Sequence, residues 1–109
     1  MRNAPAVILA CAPNEQHQLA LLMLAVCLRR NGYGVYFVGA NTPILDLVEM
    51  SKKVNPVAVM ISASTPTILE SLSQFRDSLK DIKGYLVFGG PAFTQQPEQA
   101  KYLGGMYLG

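Results

Sequence analysis

Five short apolar runs alternate with stretches of helical periodicity along the whole chain, and this alternation restricts the fold more than any other feature. Ala6–Ala12 is continuously apolar, as expected of a strand covered on both faces, and Pro13 ends it. Leu19 to Arg30 then carries apolar residues at helical spacing and stops at Asn31-Gly32. Val35–Val38 reads as the second strand. Thr42-Pro43 is expected to open the next helix, with proline at the first helical position, where its missing N–H forfeits nothing. Asn55-Pro56 closes that helix, and Val57–Ser62 forms the third strand. Thr65-Pro66 repeats the cap-then-proline signature, and Ile68, Leu72, Phe75 and Leu79 mark the expected buried face of one continuous third helix. Tyr85–Phe88 is the fourth strand and runs into Gly89-Gly90. A short fourth helix is expected from Pro97 to Gly104-Gly105, followed by a fifth strand at Met106–Leu108.

Strict βαβ alternation with short connections predicts an α/β fold. The expected architecture is a doubly wound, Rossmann-like five-stranded parallel sheet, of flavodoxin-type strand order 2-1-3-4-5, flanked by helices with right-handed crossovers. The 109 residues suit one domain spanning 1–109, with no long linker, repeat or low-complexity tract. No helix follows the fifth strand, so the domain is expected to lack its final helix.

Composition narrows the function. Half the residues are apolar and 15% are charged, which fits a packed core rather than a disordered chain. The net charge of +2 is scattered, with no basic stripe to track a phosphate backbone, so direct nucleic-acid contact is not expected. Leu19 to Leu28 is too short to span a bilayer, and no signal peptide precedes it, so a cytoplasmic location is expected. Cys11 and Cys27 lie in apolar contexts without a CxxC spacing, and both read as small buried hydrophobes.

Ligands of open parallel sheets bind at the carboxyl ends of the strands. The loop after the first strand has neither GxGxxG nor GxxxxGK[ST], which removes a dinucleotide fingerprint and a P-loop. A phospho-acceptor site would need an Asp ending the third strand, where Ser62 stands. What the first loop does hold is Asn14-Glu15-Gln16-His17-Gln18, with the only histidine of the chain. A ligating imidazole passes its other N–H to a carboxylate, and Glu15 stands two residues away. The bland alternative is a solvated surface histidine, and one protein ligand completes a metal site only if the metal already sits in a macrocycle. Ser62 and Ser64 can donate hydrogen bonds to a ligand, or simply serve the turn, while Thr65 reads foremost as a helix cap. Gly89-Gly90 permits close backbone approach, or an ordinary turn.

Together these residues resemble the cobalamin-binding domain of corrinoid methyltransferases, cobalamin-dependent mutases and cobalamin-sensing regulators. Its pattern is Asp-x-His-x-x-Gly after strand one, Ser-x-Leu after strand three and Gly-Gly after strand four. Here Glu15 stands for the Asp, His17 matches, Ala20 replaces the Gly, Ser62 matches, Ser64 replaces the Leu, and Gly89 and Gly90 match. The resemblance implies a base-off mode with His17 as lower axial ligand to cobalt. It also implies a tail threading past Ser62, Ser64 and the glycines, with further contacts from Glu15, Gln16, Gln18, Thr65 and Phe88.

Leu28–Gly32 and Val38–Pro43 look most similar to the C-terminal domain of MerR-type, light-responsive repressors that use adenosylcobalamin. That likeness implies a cobalamin-binding sensor module of a transcriptional regulator, not an enzyme in its own right. An upstream helical bundle and DNA-binding domain would act as partners, and homo-oligomers would form. Methylcobalamin is the alternative cofactor. A corrinoid carrier of a methyltransferase system and a cofactor-free association domain are the alternative functions.

Overall fold

In the computed structural model, which describes residues 4–108, the apolar runs become five parallel strands in the order β2-β1-β3-β4-β5. They are β1 (Ala6–Cys11), β2 (Gly34–Gly39), β3 (Ala58–Ser62), β4 (Tyr85–Gly89) and the two-residue β5 (Met106–Tyr107). The expected α/β class and strand order are therefore observed. Cys11 lies opposite Ser62, and Ser62 opposite Gly89, so three strand ends finish level with one another. Between β1 and β2 the register slips after Leu9, pairing Ala10 with Gly39.

Alternation along each strand sends neighbouring side chains to opposite faces. Ile8, Ala10, Val59, Ile61, Leu86 and Phe88 face the larger core, under α2 (Ile44–Val54), α3 (Pro66–Ser73), α4 (Arg76–Leu79), α5 (Pro91–Gln95) and α6 (Glu98–Tyr102). Val7, Leu9 and Cys11 face the other way, packed by Leu21 and Ala25 of α1 (Leu19–Arg30). Among the described residues α1 is the only helix on that side. Ala58, Met60 and Val87 of β3 and β4 therefore remain half-buried, in the open strip beside it.

Several local expectations need correction. Pro43 is the extended residue before α2, not its first turn, and the Thr42 hydroxyl donates to the Gly39 carbonyl instead of capping. The third helix is two pieces, interrupted at Gln74-Phe75. Leu69 and Leu72 carry the buried face of the first piece, Leu79 that of the second, while Ile68 and Phe75 are half-buried against the core. Pro91–Gln95 forms an additional short helix directly after the glycines, which the residue pattern does not anticipate. Cys27 is exposed rather than buried: α1 is apolar around its whole circumference from Leu19 to Leu28, so the sequence alone does not say which side meets the sheet. Thr65 does cap α3, accepting from the Ile68 amide at 3.3 Å, with Pro66 following.

Phe93 of α5 is fully buried and stacks on Phe88 with ring centroids 4.9 Å apart. Truncating Phe93 to alanine leaves a void beneath α5, and urea unfolding should show a loss of about 3–5 kcal/mol in stability.

Candidate functional site

The sheet order reverses direction between β1 and β3, and the loops leaving these strands diverge there to form a crevice. The loop after β1 is fixed from several sides before any functional group is considered. Asn14 takes a positive φ of 71°, a conformation asparagine tolerates better than most residues, and its amide donates to Asn41 Oδ1 at 2.8 Å. The Asn41 amide in turn donates to the Glu15 carbonyl at 2.8 Å, and the Glu15 amide to the Ala12 carbonyl at 2.9 Å. Backbone bonds thus hold Glu15 in place between the ends of β1 and β2.

The Glu15 side chain has no exposed surface. Its Oε2 accepts from the His17 amide and the Ser64 hydroxyl, each at 3.0 Å, and lies 3.0 Å from His17 Nδ1. Its Oε1 accepts a short hydrogen bond from the Ser64 amide. Burial pushes the Glu15 carboxyl up, but the bonds from His17 and Ser64 outweigh it and hold the group below its ordinary range. An ionised carboxylate accepts from Nδ1–H, which selects the tautomer whose Nε2 carries a free lone pair. The His17 side chain is 82% exposed, so a fully buried group orients a nearly free ring. The ring is solvated beside a charged neighbour, as a surface histidine would be, but its orientation is set by that neighbour. Cys11 lies beneath the loop with its thiol toward the His17 carbonyl at 3.6 Å, and is pushed up to about 11 by burial and then by the Glu15 charge. That leaves it an inert thiol.

Beside the ring lies a hollow of about 500 Å³. Leu19, Ala20, Leu21 and Leu24 of α1 form one wall, Met60, Ser62 and Ser64 another, and Thr65, Gly90 and Pro91 the rim, so the lining is mostly apolar. Of the residues expected to contact a cofactor, His17, Ser62, Ser64, Thr65 and Gly90 meet around this one space. Glu15 does not line it and acts through His17 and Ser64. Gln16 points to solvent, and Gln18 is half-buried with its Oε1 over Gly39. Phe88 is misplaced by the sequence expectation: successive strand residues face opposite ways, so it lies fully buried in the larger core while Gly89 faces the hollow's side. Gly90 is required by the backbone, since its φ is +100° and a Cβ would fall 2.4 Å from the Ala63 carbonyl oxygen.

Sequence reasoning missed Asn14 and Asn41, for which adjacency to predicted strand ends was the available signal. It also missed Leu24 and Met60, which no motif marks. Among the described residues no three His, Cys, Asp or Glu side chains gather as a metal cluster, and no helix is long and apolar enough to cross a membrane.

The family described as B12 binding domain matches residues 5–108. The HTH-type transcriptional repressor CarA of Myxococcus xanthus is 31% identical over 107 residues, covering 94% of this chain but only 36% of that protein. A cobalamin-binding protein from Desulfitobacterium hafniense DCB-2 superposes with a TM-score of 0.81 at 21% identity, over 96% of this chain and 52% of that one. The Methanosarcina barkeri monomethylamine corrinoid protein gives 0.82 at 20% identity, over 96% and 51%. At such identities the two structures bear on the fold alone.

The depressed Glu15 carboxyl has a consequence for stability. Below the ordinary glutamate value of about 4.3 the unfolded chain takes up a proton before the folded one does, so the folded state loses its advantage as pH falls through the lower folded value. Thermal melts between pH 7 and pH 3 should show this acid-induced fall, and Glu15→Gln should melt lower at pH 7 and fall less steeply toward pH 3.

Proposed function

Because the chain belongs to the B12-binding domain family, in which it is a binding module rather than a catalyst, we propose that it holds cobalamin base-off, with His17 Nε2 as the lower axial ligand to cobalt. One observation carries this reading: a fully buried Glu15, gripped by Ser64, lies 3.0 Å from His17 Nδ1, with the ring beside a mostly apolar hollow, which favours the tautomer that leaves Nε2 free. A lone imidazole makes an incomplete metal site by itself, but it is the right complement to a cobalt already held by four corrin nitrogens. The residues present therefore fit the group. Ser62 and Ser64 offer hydroxyls to the polar nucleotide linkage, and the leucines of α1 receive its apolar base.

The resemblance to a repressor at 31% identity supports a sensor module of a transcriptional regulator as the biological role. In that reading an upstream helical bundle covers the upper corrin face, a separate domain contacts DNA, and the assembly is oligomeric in the cytoplasm. Bound adenosylcobalamin supplies a light-cleavable cobalt–carbon bond, which makes the whole a photoreceptor. A carrier role with methylcobalamin shares His17 and the fold, and an adjoining catalytic barrel in place of a DNA-binding segment would identify it.

The chain should be incubated with adenosylcobalamin in the dark, desalted, and its visible spectrum recorded. The retained cofactor should show the histidine-coordinated spectrum, and His17→Ala should lose that signature. A colourless wild-type chain, or a spectrum identical in the variant, refutes the assignment.

A further inference from the structure

The hollow beside His17 is not the only open space on the α1 side of the sheet. A second hollow of about 270 Å³ continues along the same face toward the amino ends of the strands, lined by Val7, Leu9, Ala58, Val87 and Tyr85 among others and almost entirely apolar. Leu24 and Met60 border both spaces, Leu24 from α1 and Met60 from β3. These two side chains form the bar between an upper compartment bordered by serine and threonine hydroxyls and a lower one that is almost entirely apolar.

The position of the Met60 thioether is explained by Gly89. A Cβ built on Gly89 would fall 2.5 Å from the Met60 terminal methyl, so that methyl occupies the space the missing side chain leaves open. The opening at Gly89 is thus already taken by Met60, rather than being free for a ligand to approach the backbone. Methionine is unbranched and turns about three bonds, so it can swing aside where a β-branched residue would be held. Gly89 takes no positive φ, and the atom a side chain would meet is the far end of a flexible one. A methyl there displaces Met60 rather than the backbone.

We propose that Met60, seated over Gly89, sets how deeply the nucleotide tail of a corrinoid enters this face, and so discriminates among corrinoids by their lower base. The inference rests on the cobalamin reading above and adds to it a residue that selects the tail. With Met60 in place the upper hollow ends at the bar. Moving it aside joins the two hollows and gives a planar aromatic base the apolar strip over Ala58 and Val87. His17 and the corrin-facing loop lie at the other end of the upper hollow, so the bar acts on the tail alone.

The two residues make opposite predictions. Met60→Ala removes the β3 half of the bar and leaves only Leu24, whereas Gly89→Ala keeps the thioether and pushes its methyl into the passage. The wild-type chain and both variants should be titrated with cobalamin and with cobinamide, which lacks the nucleotide tail, and dissociation constants read from the visible spectrum. Relative to wild type, the preference for cobalamin over cobinamide should rise in Met60→Ala and fall in Gly89→Ala, each by about tenfold, the scale on which small changes in apolar pocket volume discriminate ligands. Circular dichroism and a thermal melt establish that each variant is folded, and either folded variant decides by its own sign. Ratios that stay at the wild-type value, or that move in the same direction in both variants, overturn the role of Met60 while leaving the cobalamin reading intact. Failure of the wild-type chain to bind either corrinoid overturns that reading, and this inference with it.

Discussion

A single carboxylate with no access to water organises the ligand end of this molecule. Burying an ionised group is costly unless donors replace its hydration, and Glu15 receives them from the His17 and Ser64 amides, the Ser64 hydroxyl and the imidazole. These donors come from two loops, with Ser64 lying 49 residues beyond Glu15 in sequence, so meeting the needs of the charge also fastens the end of β1 to the end of β3. The imidazole is a beneficiary of this arrangement: it is oriented while remaining mostly in solvent, with one nitrogen committed and the other open.

The sheet supplies the geometry that makes this possible. β1 and β3 are neighbours but far apart in sequence, and their level ends place two loops across a crevice that neither forms alone. Crossovers on one side fill the larger core, while among the described residues α1 stands alone on the other, so the ligand side is sparsely packed where the scaffold side is dense. The glycines serve this division differently. Gly90 is demanded by its backbone conformation, whereas Gly89 leaves room that the flexible end of Met60 takes up.

Much of this was legible in the residues. The βαβ alternation, the class and the strand order followed from periodicity and resemblance, and the α1 bounds at Leu19 and Arg30 are those observed. Glu15, His17, Ser62, Ser64 and Gly90 were identified by spacing and family pattern and meet at one place. What escaped was whatever depends on direction rather than type. Phe88 and Gly89 are adjacent in sequence, yet point to opposite faces. Cys27 sits on a helix apolar all round, where hydrophobicity cannot choose a side. The break at Gln74-Phe75 and the short helix at Pro91 interrupt patterns whose apolar spacing runs smoothly through them. Met60 carries no signal at all, because the cavity boundary it forms exists only after folding.

The alternation of β4 carries a further implication. Leu86 and Phe88 hold the sheet to its helices, while Val87 and Gly89 look toward the ligand side. The packing of the scaffold and the surface turned toward the ligand side are thus written on alternate letters of one short word. A lineage can revise one set while the other stands still, which gives such a domain a simple route to new chemical preferences without rebuilding its frame.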